Sequence, residues 1–215
     1  MRQTTQPDPT RERLLDEAER LFADKGFAGV SVREITAAAG AHLSAVNYHF
    51  GSKHNLYLAV FRERWLPRAR RILERLDRLA ARGLPRPEDL VRTITEAFFS
   101  GFADDAERRR HHQLIHREMC RPGEALSLIV EEVTRPIFDR FRRLLEPHLP
   151  PGVDEEEVTL YIFSVICQVL FFNFGRPMVT ALTGRTYDEQ FRRLLVEHIT
   201  RFSLRALPRG GEEDS

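Results

Sequence analysis

Cysteine is scarce in this chain: Cys120 and Cys167 are the only two among 215 residues. They stand far apart and in no CxxC pattern, which argues against a disulfide scaffold and fits reduced thiols in a cytoplasmic protein. The N-terminal stretch MRQTTQPDPTRERLLDEAER has no apolar core of the kind a secretory signal needs. No glycine-rich phosphate loop, nucleophile elbow or two-cysteine zinc pattern occurs, so the expectation is not an enzyme, with no cofactor and no resident metal. Net charge is only +1, so no global polycation argues for nucleic-acid binding. Strand signals are nearly absent as well.

A second shortage is local. From Ile35 to Arg62 there is no acidic residue, where the chain average of 32 in 215 predicts about four. Arginine then dominates, with Arg62, Arg64, Arg68, Arg70, Arg71, Arg75, Arg78 and Arg82 against Glu63, Glu74 and Asp77; a solvated helix face accounts for that run equally well. Further on, Val158 to Gly175 is 18 residues without a charge. A bilayer span needs about 20 apolar residues, but this stretch holds Thr159, Ser164, Gln168 and Asn173 and follows three glutamates. A buried or subunit-contacting helix is the expectation, and no membrane partner.

What remains is helical. Leu14, Leu15, Ala18, Leu21 and Phe22 form an apolar stripe over a helix from about Thr10 to Lys25, closed by Gly26. Ser31-Val-Arg-Glu34 reads as a capping box opening a short helix that turns Ile35, Ala38 and Ala39 inward and stops at Gly40. A third helix ends at Gly51, and Ser52 caps a fourth that continues to about Leu79. Further helices are expected over Glu88 to Phe102, Asp105 to Cys120, Glu124 to Glu146 with a bend at Pro136, Val158 to Gly175, and a last one opened by a capping box at Thr186. The last helix would hold Phe191, Leu194, Leu195, His198, Ile199 and Phe202 on one side. The fold class is all-α: an N-terminal three-helix helix-turn-helix domain over 10–55, and a helical effector-binding and dimerisation domain over 56–207, whose connecting helix is 56–80. Residues 1–9 and 208–215 read as flexible tails.

The stretch HLSAVNYHFGSK, residues 42 to 53, sits in the second helix of that helix-turn-helix. On a helical wheel Leu43, Val46 and Phe50 share one side, with Ser44, Ala45 and Tyr48 opposite and Asn47 and His49 on the flanks. A helix this short is stable only when clamped by neighbours, so its other side is presented outward. Small side chains there suit a major groove: Asn47 can pair bidentately with adenine, Ser44 with several base edges, and Ala45 can meet a thymine methyl. Tyr48, His49 and Lys53 can take phosphate oxygens, and Ser31 and Ser52, at helix starts, leave backbone N–H groups for phosphates, with Arg33 beside them.

Phe27, Ser31-Val-Arg-Glu-Ile35, Ala39-Gly40 and Val46-Asn-Tyr-His-Phe-Gly-Ser-Lys53 together resemble the DNA-binding domain of the TetR family of bacterial transcriptional repressors, over roughly residues 10 to 60. His116-Arg-Glu-Met119 and Pro122 resemble the CecR-like branch of that family. The resemblance implies base contacts from the start and middle of the third helix, phosphate contacts by Tyr48, His49 and Lys53, and a helical C-terminal half that binds a ligand and dimerises. One departure stands out. His42 occupies a position where the branch usually has an Asn or Ser cap, and Ala41 one where a larger Val is usual; either the turn is looser or His42 itself touches DNA.

A recognition helix this short reads few base pairs, which favours a homodimer through the two C-terminal helices on a palindromic operator. Phenylalanine is frequent, 15 of 215, and large rings can line an apolar cavity. Candidate residues for a small hydrophobic effector are Phe98, Phe102, His112, His116, Met119, Phe138, Phe163, Gln168 and Phe171, with Glu118 and Asn173 as further polar groups. His112, His116 and Cys120 at i, i+4 and i+8 leave a metal-responsive regulator as an alternative, although the outer two are about 12 Å apart along a helix. A helical protein-interaction module without DNA binding is the other.

Overall fold

Asp8 opens the first helix with its carboxylate, which accepts the Thr10 N–H at 2.8 Å. The computed structural model describes residues 8–100 and 104–208, and among these every regular element is helical. The elements are α1 Pro9–Lys25, α2 Val32–Ala38, α3 Ala45–Phe50, α4 Lys53–Val60, α5 Leu66–Ala80, α6 Pro87–Phe99, α7 Asp105–Cys120, α8 Glu124–Ile129, α9 Arg135–Leu145, α10 Glu155–Phe174, α11 Arg176–Thr183 and α12 Glu189–Arg205. They fall into two units. One contains 8–68 and 104–130, the other 69–100 and 131–208.

In the first unit the stripe on α1 is buried as its spacing predicts, with Leu14, Leu15, Ala18 and Phe22 fully enclosed. Its core runs through an aromatic chain: Phe22 meets Tyr57 edge-on at 5.0 Å, Tyr57 meets Phe61 at 5.2 Å, and the Trp65 ring stacks on His111 at 4.7 Å. The Trp65 indole N–H donates to the His111 carbonyl at 3.0 Å. Around this core run ion pairs. Arg11 grips Glu63 with both guanidinium nitrogens, at 2.7 and 2.5 Å, and Arg68 reaches Glu19 at 2.5 Å and Glu107 at 2.8 Å. Glu19 is 3% exposed, so this last carboxylate depends on its arginine.

The expected helix from Ser52 to Leu79 is interrupted by a π turn, Phe61–Trp65, in which the Leu66 N–H reaches back five residues to the Phe61 carbonyl. Pro67 supplies the reason. A proline cannot donate to the carbonyl four residues back and clashes with it, so the ladder widens just before it. The bend expected at Pro136 takes the same form: a second π turn, Val130–Thr134, ends two residues before that proline.

The second unit packs α6 on α12, α9 and α10. Its core holds Phe99, Val169, Val179, Tyr187, Phe191, Leu195, Val196 and Ile199. Two expectations need correction here. Residues 176–183, which carried no helix in the sequence reading, form α11, with Pro177 in its first turn and Gly184 in the left-handed region at its end. The last helix is capped by Asp188, whose carboxylate accepts the Phe191 N–H at 2.8 Å, and not by Thr186, which bonds to Asp188 instead. On α12 the expected stripe lies on one side but divides in burial: Phe191, Leu195 and Ile199 are buried, whereas Leu194, His198 and Phe202 are exposed. By length and composition α10 could cross a membrane, yet only 28% of that stretch is buried within the chain.

Candidate nucleic-acid interface

The helix-turn-helix is built from α1 to α3. Ser31 accepts the Glu34 N–H at 3.1 Å, half of a capping box; the Glu34 carboxylate turns to Lys25 instead of reaching back. That lysine holds the Glu34 carboxyl below its ordinary range. Ile35 on α2 and Ala39 just past its end are buried, but Ala38 is exposed, against expectation. The helix ends in a Schellman motif: the Ala41 N–H reaches the Thr36 carbonyl at 2.9 Å, and Gly40 N–H the Ala37 carbonyl at 3.3 Å. Gly40 has φ +59° there, the left-handed geometry that a side chain disfavours.

α3 begins at Ala45. Leu43 therefore precedes the helix and is 55% exposed, not part of the clamped side as the helical wheel had it. Val46 and Phe50 are buried, and the Arg11 guanidinium lies 5.0 Å over the Phe50 ring. The opposite side is open: Ser44 and Asn47 are exposed, and Tyr48 is 83% exposed. Ala45 is half-buried beside them. His49 is turned away from that face, its Nε2 lying 3.8 Å from Asp8. Arg33 is exposed on α2. Ser52 accepts the Asn55 N–H at 3.0 Å and opens α4. Lys53 sets its ammonium 4.3 Å above the Phe27 ring, and its partial burial there lowers its pKa.

His42 does what the missing Asn or Ser cap would do. Its Nδ1 lies 3.3 Å from the Ser44 N–H and 2.8 Å from the Ser44 hydroxyl. The turn is closed further by the Ala45 N–H on the His42 carbonyl at 2.9 Å.

Behind this face, α4 is tied to the α7–α8 corner of the same unit. The Tyr57 hydroxyl donates to the buried Glu118 carboxylate at 2.5 Å, and Glu118 also accepts the Gly123 and Leu126 N–H groups at 3.2 and 3.1 Å. Arg117 donates to the carbonyls of Ala23 and Asp24 at the end of α1. Gly26, φ +73°, leaves the room Arg117 uses: a Cβ there would sit 3.2 Å from its guanidinium. Sequence reasoning missed Tyr57 altogether, because no local signal ties it to a partner 61 residues away. A cavity of about 630 Å3 opens here, lined by Phe27, His54, Tyr57, His116, Glu118 and Arg121 among others.

The residues expected at an effector are divided. His112, buried, and His116 and Met119, exposed, belong to the first unit; Phe98, Phe138, Phe163, Gln168 and Phe171 belong to the second. Phe102 lies outside the described residues. Gln168 and Asn173 donate to carbonyls one turn back on their own helix. Cys120 and His116 are 3.8 Å apart, and among the described residues no three His, Cys, Asp or Glu side chains are grouped to hold a metal ion.

The sequence matches two family descriptions. Residues 14–60 match the bacterial regulatory proteins of the tetR family, and residues 87–207 match the C-terminal domain of the HTH-type transcriptional dual regulator CecR. Among individual proteins, the chain is 27% identical to CecR of Shigella flexneri over 210 residues, covering 92% of this chain and 91% of that one. It is 25% identical to the HTH-type transcriptional repressor NicS of Pseudomonas putida over 213 residues, 95% of either chain. In fold it is similar to the fatty acid degradation regulator FadR from Bacillus halodurans, with a TM-score of 0.66 at 16% identity over 95% of this chain and all of that one. With a family model covering more than half its length, the chain belongs to the TetR family of transcriptional regulators: it is a DNA-binding regulator with a helix-turn-helix and a CecR-type C-terminal domain, and not an enzyme.

Proposed function

We propose that this protein is a cytoplasmic, homodimeric repressor that places α3 of each copy in successive major grooves of a palindromic operator and is released by a small hydrophobic effector. The observation that carries the reading is the asymmetry of α3. Val46 and Phe50 are buried, while Ser44, Asn47 and Tyr48 face outward from a 28-residue stretch free of carboxylates. Any acid on that surface would repel phosphate. Asn47 is the side chain suited to adenine; Ser44 and Ala45 reach neighbouring bases; Ser31, Arg33, Tyr48 and Lys53 take backbone phosphates.

Support for the dimer comes from apolar side chains that the single chain leaves uncovered. Leu160, Phe163 and Phe171 on α10, and Leu194 and Phe202 on α12, are each about half exposed or more. Two such helix pairs form a four-helix interface, a symmetric arrangement that sets two recognition helices about one DNA turn apart. Release by an effector is supported by the Tyr57–Glu118 tie, since a ligand displacing the α7–α8 corner acts directly on α4.

Selection of binding sites from random duplex DNA with the full chain tests the reading. An enriched palindrome with half-sites about 34–36 Å apart is the expected result. A folded protein that enriches no sequence refutes it.

A further inference from the structure

Resting on the proposal that α3 reads base edges, we infer that His42 is a positioning residue which fixes the Ser44 hydroxyl as a hydrogen-bond acceptor, so that Ser44 selects an amino-bearing base, adenine or cytosine, over a keto-bearing one.

The argument begins with a backbone N–H, which can only donate. The Ser44 N–H points at His42 Nδ1 from 3.3 Å, so Nδ1 presents its lone pair and the imidazole carries its proton on Nε2. The Ser44 hydroxyl lies 2.8 Å from the same nitrogen. An unprotonated Nδ1 has no hydrogen to give, so in that contact the hydroxyl is the donor. Its one proton is then committed within the protein. What Ser44 shows to the outside is oxygen lone pairs alone.

A free serine hydroxyl is indifferent, because it rotates to donate or accept. A committed one is not. In the major groove adenine N6 and cytosine N4 are donors, whereas guanine O6 and N7 and thymine O4 are acceptors. Lone pairs facing a keto oxygen repel it, and the same holds for a phosphate oxygen. The geometry thus turns an ambiguous reader into a selective one and directs Ser44 to a base instead of the sugar–phosphate chain. It also gives His42 a role that its exposure, at the tip of the turn before α3, would otherwise leave as a surface accident.

The test uses site selection from random duplex DNA with the wild type, Ser44→Ala, His42→Ala and His42→Asn. Ser44→Ala should flatten the preference at one base position per half-site and so locate it. There the wild type should prefer adenine or cytosine over guanine or thymine by about tenfold, the scale of one hydrogen bond made or lost against a wrong base. His42→Ala should bring that ratio toward one at the same position while leaving the rest of the motif in place. His42→Asn should retain it, because a carboxamide oxygen accepts the i+2 N–H and the hydroxyl in the same way. A keto base preferred by the wild type, an unchanged ratio in His42→Ala, or no position altered by Ser44→Ala overturns the inference while the DNA-reading assignment of α3 stands. No enriched sequence from any of the four overturns the groove reading itself, and the inference with it.

Discussion

Tyr57 and Glu118, 61 residues apart in sequence, share a 2.5 Å hydrogen bond in a place where both side chains are buried. Glu118 has three donors in all, the other two being backbone N–H groups at the start of α8. One carboxylate therefore anchors α4 and caps the following helix at once. Glu118→Ala leaves the buried Tyr57 hydroxyl and two partly buried backbone N–H groups without an acceptor and should cost about 3 kcal/mol, whereas Tyr57→Phe removes one donor and should cost about 1–2 kcal/mol. Urea unfolding of both variants checks the order. A Tyr57→Phe protein that loses more than Glu118→Ala contradicts the assignment of Glu118 as the hub.

Alkaline pH should weaken the fold through two tyrosines. Burial, and then the bond to Glu118, raises the Tyr57 phenol well above its ordinary range, and burial pushes Tyr161 up to about 12 from 10.0. In the unfolded chain both lose their protons near pH 10. Folded, they keep them, so the native state binds more protons above that pH and stability falls as pH rises. The contribution is complete below pH 10 and lost through the folded pKa. Stability measured between pH 9 and pH 11 should decline, and less steeply in Tyr57→Phe. Equal slopes for the two proteins would refute the shift at Tyr57.

Lys53→Ala and Asn47→Ala should separate phosphate from base contact. Lys53→Ala should weaken binding to operator and random DNA alike and reduce the slope of log affinity against log salt by about one. Asn47→Ala should cost roughly 1–3 kcal/mol at one base position and little on random DNA. Titrations over a range of salt distinguish them. Identical behaviour of the two variants on both DNAs would remove the division of roles.

A charge placed in the uncovered apolar face should separate the copies. Phe163→Glu and Phe202→Glu each replace a side chain about half exposed in the single chain, so the fold of one chain should survive. Sedimentation should show the wild type at twice the mass of one chain and the variants at one. A wild type that sediments as a single chain at micromolar concentration sinks the interface.

Much of this was legible in the residues. The stripe on α1, the Ser31 cap, Gly40 and Gly51 place the helix-turn-helix without any structure, because local spacing and caps decide it. Leu43 was misplaced because a wheel assumes a helix that has already begun, whereas α3 begins only at Ala45. Pro67 falls in the middle of the stretch from Ser52 to Leu79 that reads as one helix, and it carried no expectation in the sequence reading. Only the ladder of backbone bonds reveals the turn it widens. Tyr57 and Glu118 could not be paired from sequence at all, since nothing local links positions 61 apart. The effector residues were chosen as large apolar rings with polar groups to orient a ligand, and residue type does not say which unit a side chain belongs to.

The π turn Phe61–Trp65 has a last consequence. Along an α-helix each residue advances the side-chain direction by about 100°, at 3.6 residues per turn. The wide turn spends more residues on its revolution, and with that count Leu66 is fully buried and Arg68 meets Glu19 and Glu107. Replacing a residue inside the turn leaves that direction intact. Because the wide turn spends one residue more than an α turn on its revolution, removing one from it closes an ordinary α turn with the later residues facing as they do, whereas removing one elsewhere in the helix swings them by about 100° and takes Arg68 off both carboxylates.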